Sequence, residues 1–324
     1  MEYVNLGTTG VKVSTLCFGT MSFGDDADEE TSGQLYQRSR EAGINFFDCA
    51  NVYAGGRSEE ILGKLIADER EQIVLTSKVY FPMGKGVNES GASRHHIMQA
   101  VEASLKRLDT DRIDVYFIHH FDEHVPLEET LRALDDLVHQ GKVLYPAASN
   151  FAAWQIAKAL GISEREGWAR FECIQPMYSL AKRQAESEIL PMAESEGLGV
   201  IPYSPLGGGL LTGKYDAEAR PDTGRLVEND MYMIRYGDQG YYEIAGAFTA
   251  FAREKDFEPV ALAVAWVAAH PGVTAPILGA RSVEQLEGSL GSLEIDMSPE
   301  LYAEVAALSP EPPPATDRSE ERSG

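Results

Sequence analysis

The sequence predicts an α/β protein built as a single (β/α)8 TIM barrel, with an N-terminal β-hairpin and a long loop after the seventh strand. Short, continuous apolar runs alternate with amphipathic segments, a pattern typical of a parallel sheet covered by helices. Eight such runs in 324 residues favour a closed barrel over an open doubly wound sheet. The predicted strands are 16–18, 44–47, 73–76, 115–118, 143–148, 173–175, 200–203 and 275–278.

Helical periodicity fills the intervals between these strands and completes the alternating pattern. The hairpin is expected at 4–13, and the Gly- and Pro-rich stretch 204–240 is expected to be a long functional loop. Pro146 predicts a local irregularity in the fifth barrel strand, because proline cannot donate to a strand ladder. The barrel is predicted to span 1–308, followed by a Pro-rich, charged and disordered tail at 309–324. The predicted helices are 59–66, 95–108, 127–140, 151–160, 186–195 and 260–269.

The net charge of −23 argues against nucleic acid or an anionic membrane as a partner, since both require positive surface. No run approaches the roughly 20 apolar residues of a membrane span, and the N-terminus lacks a signal-peptide pattern. Three cysteines without metal-type spacing are expected to be buried free thiols, and no metal site is predicted. These features predict a cytoplasmic protein. The dispersed acidic charge fits either a high-salt habitat or an ordinary acidic bacterial enzyme.

Four side chains capable of carbonyl chemistry lie at or just after predicted strand ends. They are Asp48, Tyr53, Lys78 and His119. Parallel barrel strands bring their C-terminal ends to one face, so these four side chains are expected to share a pocket. A Tyr beside a Lys suits delivery of a proton to a carbonyl oxygen, because the positive charge stabilises the phenolate and lowers the Tyr pKa. The sequence therefore predicts an enzyme.

Short motifs in a fixed order run along nearly the whole chain, each close to a strand end. They are Leu6-Gly7, Phe18-Gly19-Thr20-Met21, Phe47-Asp48, Tyr53, Ser77-Lys78, Ile118-His119, Ser149-Asn150-Phe151, Gln175, Tyr203-Ser204-Pro205-Leu206-Gly207 and Leu278-Gly279-Ala280-Arg281. Together they resemble the aldo-keto reductase family, nearest its bacterial and channel-β-subunit-like branch. The resemblance implies an NADP-dependent oxidoreductase with Tyr53 as proton donor. Lys78 and Asp48 would tune that Tyr, and His119 would orient the carbonyl.

The resemblance also implies a nicotinamide cofactor held mainly by the second half of the chain. An amide requires paired donors and acceptors, a flat ring suits an aromatic face, and a glycine-rich run offers free N–H groups to a pyrophosphate. The planar fork of Arg281 suits a 2′-phosphate, which favours NADPH over NADH. The expected cofactor-binding residues are Gly19, Thr20, Ser149, Asn150, Gln175, Tyr203, Ser204, Leu206, Gly208, Lys214, Gly279, Arg281 and Gln285.

The stretch from Gly208 to Lys214 also spells the G-x-x-x-x-G-K of a phosphate-binding loop. Tyr215 stands where that motif requires Ser or Thr, so this interpretation is rejected. His120 follows His119 and should face the opposite way along an extended strand end, so it receives no role.

The expected substrate is a small aldehyde or ketone in an apolar to aromatic pocket. The residues expected to line that pocket are Met21, Phe23, Tyr80, Phe81 and Phe121. Two alternatives stay open: a nucleotide-sensing regulatory subunit with little turnover, and an unrelated barrel lyase or isomerase without a nicotinamide. The oligomeric state is also left open.

Overall fold

The computed structural model describes residues 1–215, 226 and 229–316. Eight parallel strands follow one another in chain order around a sheet, as predicted. A separate antiparallel hairpin of β1 (Tyr3–Asn5) and β2 (Lys12–Ser14) precedes them. The barrel strands are β3 (Cys17–Gly19), β4 (Phe46–Asp48), β5 (Val74–Val79), β6 (Ile113–Ile118), β7 (Val143–Ser149), β8 (Cys173–Gln175), β9 (Gly199–Val200) and β10 (Ile277–Gly279).

Backbone hydrogen bonds close this sheet into a barrel. β10 pairs in parallel with β3, and β8 pairs with β9. The amide of Thr274 donates to the carbonyl of Val200 at 2.8 Å, and the amide of Ile277 donates to Pro202 at 2.9 Å. These bonds join the end of β9 and the residues after it to β10 and the residues before it, so the last two strands meet. The (β/α)8 prediction is confirmed.

The hairpin closes the N-terminal end of the barrel. The side chain of Leu6 is fully buried and joins the apolar cluster inside the barrel. Gly7 has φ +57°, and a Cβ there would lie 2.5 Å from the amide nitrogen of Gly199, so the close approach requires glycine. The barrel-interior cluster consists of Leu6, Val13, Cys17, Phe46, Val74, Val115, Phe117, Ala147, Cys173, Ile201, Ala275 and Ile277.

Each of the six predicted helices is present, with ends that differ by a few residues. They are Arg57–Ile66, Arg94–Leu108, Leu127–His139, Ala153–Glu166, Ile189–Glu196 and Pro259–Ala268. Further helices, whose bounds were not predicted individually, are Glu29–Glu41, Asp230–Tyr236, Gln239–Glu254, Val283–Leu290 and Pro299–Ala306. The predicted loop 204–240 is therefore wrong at its end, where Asn229 caps the helix Asp230–Tyr236 by accepting from Met231 and Tyr232 amides. Within the described ranges, no helix is both long and apolar enough to cross a membrane.

Two local expectations differ from the structure. Pro146 lies inside a continuous β7, and its carbonyl accepts from the amide of Glu172 at 2.9 Å. In a strand, the N–H and C=O of one residue point to the same neighbouring strand. The N–H that Pro146 lacks would therefore face the residues just before β8, where its loss removes little of the hydrogen bonding between β7 and β8. The tail expected to be disordered from 309 is partly packed. Ser309 is buried, and Ser187 donates to the carbonyl of Pro313 at 2.9 Å.

Candidate active site

The C-terminal ends of the barrel strands surround a cavity of about 970 Å³. Asp48 is the last residue of β4, and His119 directly follows β6. Tyr53 follows β4 in a short 3-10 turn, Tyr53–Gly56. All three side chains line the cavity. Lys78, near the end of β5, is fully buried behind them, so the four residues predicted from their strand ends are brought together.

The turn that presents Tyr53 has an unusual backbone. Ala54, Gly55 and Gly56 all have positive φ, at 47°, 63° and 98°. The left-handed region disfavours a side chain, so Ala54 carries strain that its surroundings must hold. The helix that follows this turn is anchored through Glu59, a fully buried carboxylate. Its oxygens accept from Ser77 Oγ at 2.5 Å and Arg107 Nε at 2.7 Å, which fixes the helix against β5 beside Lys78.

Lys78 forms the centre of a buried hydrogen-bond group. Its ammonium donates to Asp48 Oδ2 at 2.6 Å, to the Cys49 carbonyl at 2.7 Å and to the Tyr53 hydroxyl oxygen at 3.2 Å. Three donors therefore meet three acceptors, as a buried ammonium requires. Burial is the largest single influence on the pKa of Lys78 and lowers it, but the charges of Asp48 and Tyr53 and the hydrogen bonds to them together hold the pKa above its ordinary value. Lys78 is charged at neutral pH.

Asp48 is oriented by two further donors on its other oxygen. Thr76 Oγ1 donates to Asp48 Oδ1 at 2.7 Å, and Gln175 Nε2 donates to the same oxygen at 2.9 Å. Since Oδ1 is occupied in this way, Oδ2 is left for Lys78. Gln175 is one of the residues expected to bind the cofactor. The structure shows that its side-chain nitrogen is committed to Asp48, while the residue still lines the cavity.

Tyr53 behaves differently from the sequence-based expectation. Burial raises the pKa of its hydroxyl to about 12, and the charge of Lys78 only partly opposes that rise. The expected net lowering of the Tyr53 pKa is therefore wrong for this structure, because desolvation of the phenolate outweighs attraction by Lys78. The hydroxyl keeps its proton at neutral pH and is available as a donor.

His119 is held as a neutral imidazole beside Tyr53. Burial lowers its pKa well below the ordinary value, and the nearby charge of Lys78 adds to the effect. The two rings meet edge to face with centroids 6.1 Å apart. Nδ1 is buried and has no hydrogen-bond partner among the described residues. His120 is exposed, and its ring lies 5.3 Å from that of Tyr80.

A second polar network runs along the cavity wall from β7 to β9. The Tyr203 hydroxyl donates to Asn150 Oδ1 at 2.7 Å. Asn150 Nδ2 donates to the carbonyl of His119 at 2.9 Å and to Ser149 Oγ at 3.1 Å. Ser149 Oγ in turn donates to the carbonyl of Gln175 at 2.9 Å. The wall and the Asp48–Lys78 group are thus one connected network.

The comparisons with known proteins agree with this geometry. A family model described as the aldo/keto reductase family matches residues 15–310. The chain belongs to the aldo/keto reductase family. It is 39% identical to an uncharacterized oxidoreductase of Bacillus subtilis, over 96% of this chain and 97% of that protein. It is 37% identical to a probable voltage-gated potassium channel subunit beta of Arabidopsis thaliana, over 91% and 92%. It is 36% identical to a putative aryl-alcohol dehydrogenase of Schizosaccharomyces pombe, over 92% and 93%.

This chain is an oxidoreductase of the aldo/keto reductase family, whose members generally use nicotinamide cofactors. Most residues expected to bind the cofactor line the cavity. They are Gly19, Ser149, Asn150, Gln175, Tyr203, Ser204, Leu206, Gly208, Lys214, Gly279, Arg281 and Gln285. Thr20 does not line it. Its side chain is fully buried and donates to the backbone carbonyl of Asp48 at 3.1 Å, so it helps to hold the end of β4 in place.

The cavity fits an extended dinucleotide. Two of its lining glycines, Gly209 and Gly279, have no atom within 4 Å of the place a Cβ would take, so the space beside them belongs to the cavity. At the β10 end, the amide of Arg281 donates to Gln285 Oε1 at 3.0 Å, and its guanidinium lies 3.9 Å from Asp26. Backbone close to the cavity, an aromatic wall and a cationic end suit a pyrophosphate-linked nicotinamide cofactor.

The residues expected to bind substrate are only partly correct. Met21 and Phe81 line the cavity. Phe23 is fully buried and packs on Phe18 with ring centroids 5.8 Å apart, so it belongs to the core. Phe121 packs edge to face against Phe151, with centroids 5.2 Å apart.

Tyr80 also lies apart from the cavity lining. Its ring contacts the rings of Phe81 and His120, each with centroids 5.3 Å away. The positions of Phe23, Phe121 and Tyr80 depend on how each loop turns after its strand, which residue type does not reveal.

The sequence missed the contribution of the helix Asp230–Tyr236. It adds Met231, Tyr232 and Arg235 to the cavity lining. The available signal was Asn229 followed by an aromatic and aliphatic run, which is a helix start with a capping residue. Within the described residues, no group of three or more His, Cys, Asp or Glu is placed to hold a metal ion.

Proposed function

We propose that this protein is an NADPH-dependent oxidoreductase that reduces aldehydes or ketones to alcohols, reversibly, with Tyr53 as the proton donor. The supporting observation is the Lys78 ammonium, which is within hydrogen-bond distance of both Asp48 and the Tyr53 hydroxyl at the cavity wall. A neutral His119 lies beside that hydroxyl. A protonated phenol, a fixed positive charge and a neutral hydrogen-bonding ring are what carbonyl reduction requires.

Bound NADPH supplies the hydride that the carbonyl carbon accepts. Ser149, Asn150, Gln175 and Tyr203 would hold its nicotinamide, since they form one connected wall of the cavity. The run that includes Ser204, Leu206 and Gly208, with Lys214, would hold the pyrophosphate. Arg281 would pair with the 2′-phosphate, because a guanidinium makes paired charge-assisted bonds to phosphate. On this basis NADPH is favoured over NADH.

Each of the four clustered side chains would have its own part in moving the proton. Tyr53 gives its hydroxyl proton to the carbonyl oxygen as the carbon gains hydride, which balances the conversion of carbonyl to alcohol. Lys78 offsets the phenolate charge that results, and Asp48 keeps Lys78 protonated and in place. His119 donates a hydrogen bond that orients the carbonyl oxygen. General acid assistance of this kind is worth about 10²–10⁴-fold. In the oxidative direction the Tyr53 phenolate takes the proton back.

The test compares wild type with Tyr53→Phe, using loss of NADPH absorbance with an aromatic aldehyde. Turnover should fall by about 10²-fold or more, while NADPH still quenches protein fluorescence equally in both proteins. Equal turnover in the two proteins would remove Tyr53 from the mechanism. A Tyr178→Phe variant is a matched control, because Tyr178 is a fully buried tyrosine that does not line the cavity.

A second candidate function is nucleotide sensing with little turnover. It is favoured by the likeness to the Arabidopsis thaliana protein described as a probable potassium channel subunit beta. Tight NADPH binding with negligible turnover across a broad panel of aldehydes and ketones would support it. Measurable turnover that depends on Tyr53 would support the reductase.

Cellular setting is proposed from charge and thiols. Cys17, Cys49 and Cys173 are all buried free thiols, which suits a reducing cytoplasm. With a net charge of −23, nucleic acid is not expected as a partner. The high-salt proposal predicts activity that rises as KCl is brought to molar concentrations, and a flat or falling response would dismiss it.

A further inference from the structure

Of the residues that the structure describes, three with cationic side chains line the cavity, and they differ in their partners. They are Lys214, Arg235 and Arg281. Arg281 lies 3.9 Å from an Asp26 oxygen. Among the described residues, neither Lys214 nor Arg235 has a carboxylate within 4.0 Å. The chain has 51 acidic against 28 basic side chains, so an arginine with no carboxylate partner among the described residues is an uncommon arrangement here. Such a group is available to an anion in the cavity.

Arg235 lies on the Tyr203 side of the cavity. It is half-buried on the helix Asp230–Tyr236, with its guanidinium 5.9 Å from the centroid of the Tyr232 ring. Its charge reaches Tyr203, where it opposes the rise in pKa that burial causes. Tyr203 is bonded to Asn150, which is bonded to the carbonyl of His119. Arg235 and Tyr203 both line the cavity, and Tyr203 is connected by hydrogen bonds through Asn150 to the backbone of His119.

The proposed cofactor does not account for this arginine. Its 2′-phosphate is assigned to Arg281, and its pyrophosphate is assigned to the glycine run with Lys214. The remaining guanidinium is planar and has a fixed fork of donors, which matches a carboxylate with two parallel hydrogen bonds. The acidic net charge of the protein would repel an anionic substrate, so recognition of one requires a local cation of this kind.

We propose that Arg235 binds a carboxylate on the carbonyl substrate, so that the preferred substrates are aldehydes or ketones that also carry a carboxylate. This inference rests on the proposed reductase function. It adds a specificity-determining residue to that function and narrows the substrate class. Arg235 acts in ground-state and transition-state binding alike, so its loss raises KM more than it lowers kcat.

The kinetic test compares 4-carboxybenzaldehyde with its neutral methyl ester in wild type, Arg235→Met and Arg235→Lys. In Arg235→Met, kcat/KM for the carboxylate aldehyde should fall about 10- to 100-fold through KM. The ester should change less than about twofold, and NADPH affinity should be unchanged. Arg235→Lys should be intermediate, because it keeps the charge and loses the fork. Arg253→Met, which removes an exposed arginine outside this cavity, should behave as wild type.

An equal loss on both aldehydes with weaker NADPH binding would overturn the proposal and assign Arg235 to the cofactor. The proposal would also be overturned if the wild-type protein had the same kcat/KM for the methyl ester as for the carboxylate aldehyde. A binding measurement separates this inference from the reductase proposal. In calorimetry with NADP⁺ present, benzoate should bind wild type more tightly than benzamide, and Arg235→Met should remove that preference. That result would stand even if no aldehyde were turned over, and its absence would refute the carboxylate site.

Discussion

Replacing Lys78 with Met is expected to destabilise the protein more than replacing Lys78 and Asp48 together. Both side chains are almost completely buried, at 0% and 3% exposed, and their charged atoms are 2.6 Å apart. Lys78→Met leaves the Asp48 carboxylate with donors from Thr76 and Gln175 but with no cation. A buried charge that loses its partner costs about 3–5 kcal/mol.

The single change Asp48→Asn should cost a similar amount, because the Lys78 ammonium then keeps only neutral acceptors at Cys49 and Tyr53. The double variant buries no charge, and replacing a whole buried pair is often nearly neutral. The two effects should therefore be far from additive, with a coupling energy of about 3 kcal/mol or more. Urea unfolding followed by circular dichroism gives each free energy by linear extrapolation.

A matched control is the exposed pair Lys255–Glu304, whose charged atoms are 2.8 Å apart at 42% and 48% exposed. The cycle of Lys255→Met with Glu304→Gln should give a coupling energy below about 1 kcal/mol. Additive costs at Lys78 and Asp48, or single costs below about 1 kcal/mol, would refute the argument that burial makes this pair interdependent. Carbonyl reduction should stay low in the double variant, so stability recovers without activity.

Two further predictions concern pH and the cavity. Because burial raises the Tyr53 pKa to about 12, alcohol oxidation with NADP⁺, which needs the phenolate, should rise with pH up to that value. Reduction, which needs the phenol, should hold steady from about pH 6 to 8, where the lowered pKa keeps His119 neutral. Profiles of kcat/KM in both directions check this, and a loss of reduction with a midpoint near the ordinary His pKa would contradict it. Gly279→Leu should weaken NADPH binding by about tenfold or more with little change in unfolding free energy, because its side chain would extend into open cavity. Unchanged affinity by fluorescence titration would show that the cofactor does not lie against the cavity wall at Gly279. The control is Gly161→Leu, because Gly161 has equally open surroundings but lies outside the cavity lining.

The barrel and the positions of the four candidate catalytic residues could be predicted from the sequence, because both depend largely on local sequence pattern. An apolar run marks each strand, and the residue at its end must lie at the C-terminal face once the barrel closes. Asp48, Lys78 and His119 follow from that rule alone. Tyr53 lies farther along the chain, and its place depends on the positive-φ turn that follows it.

What the sequence could not predict are contacts set across the barrel and orientations set within loops. Gln175 donates to Asp48 across 127 residues of chain, a pairing that depends on which strand ends face each other. Phe23 and Phe121 follow strand ends as predicted but turn into neighbouring aromatic rings. Arg235 was hidden because a helix of seven residues lies in a stretch whose glycines and prolines predict a loop.

The pKa of Tyr53 shows why charge alone was an insufficient guide. From the sequence alone, a lysine beside a tyrosine predicts a stabilised phenolate and a lowered pKa. The structure adds desolvation, which disfavours the phenolate and exceeds the attraction of Lys78. Lys78 therefore limits a rise in the pKa and does not produce a fall. A phenol that holds its proton firmly suits reduction at neutral pH, since the donor form is already populated. The same burial disfavours alcohol oxidation at neutral pH, because that reaction requires the Tyr53 phenolate. In the proposed reductase, desolvation therefore favours the proton-donating form of Tyr53 at neutral pH, and the charge of Lys78 limits how far the pKa rises.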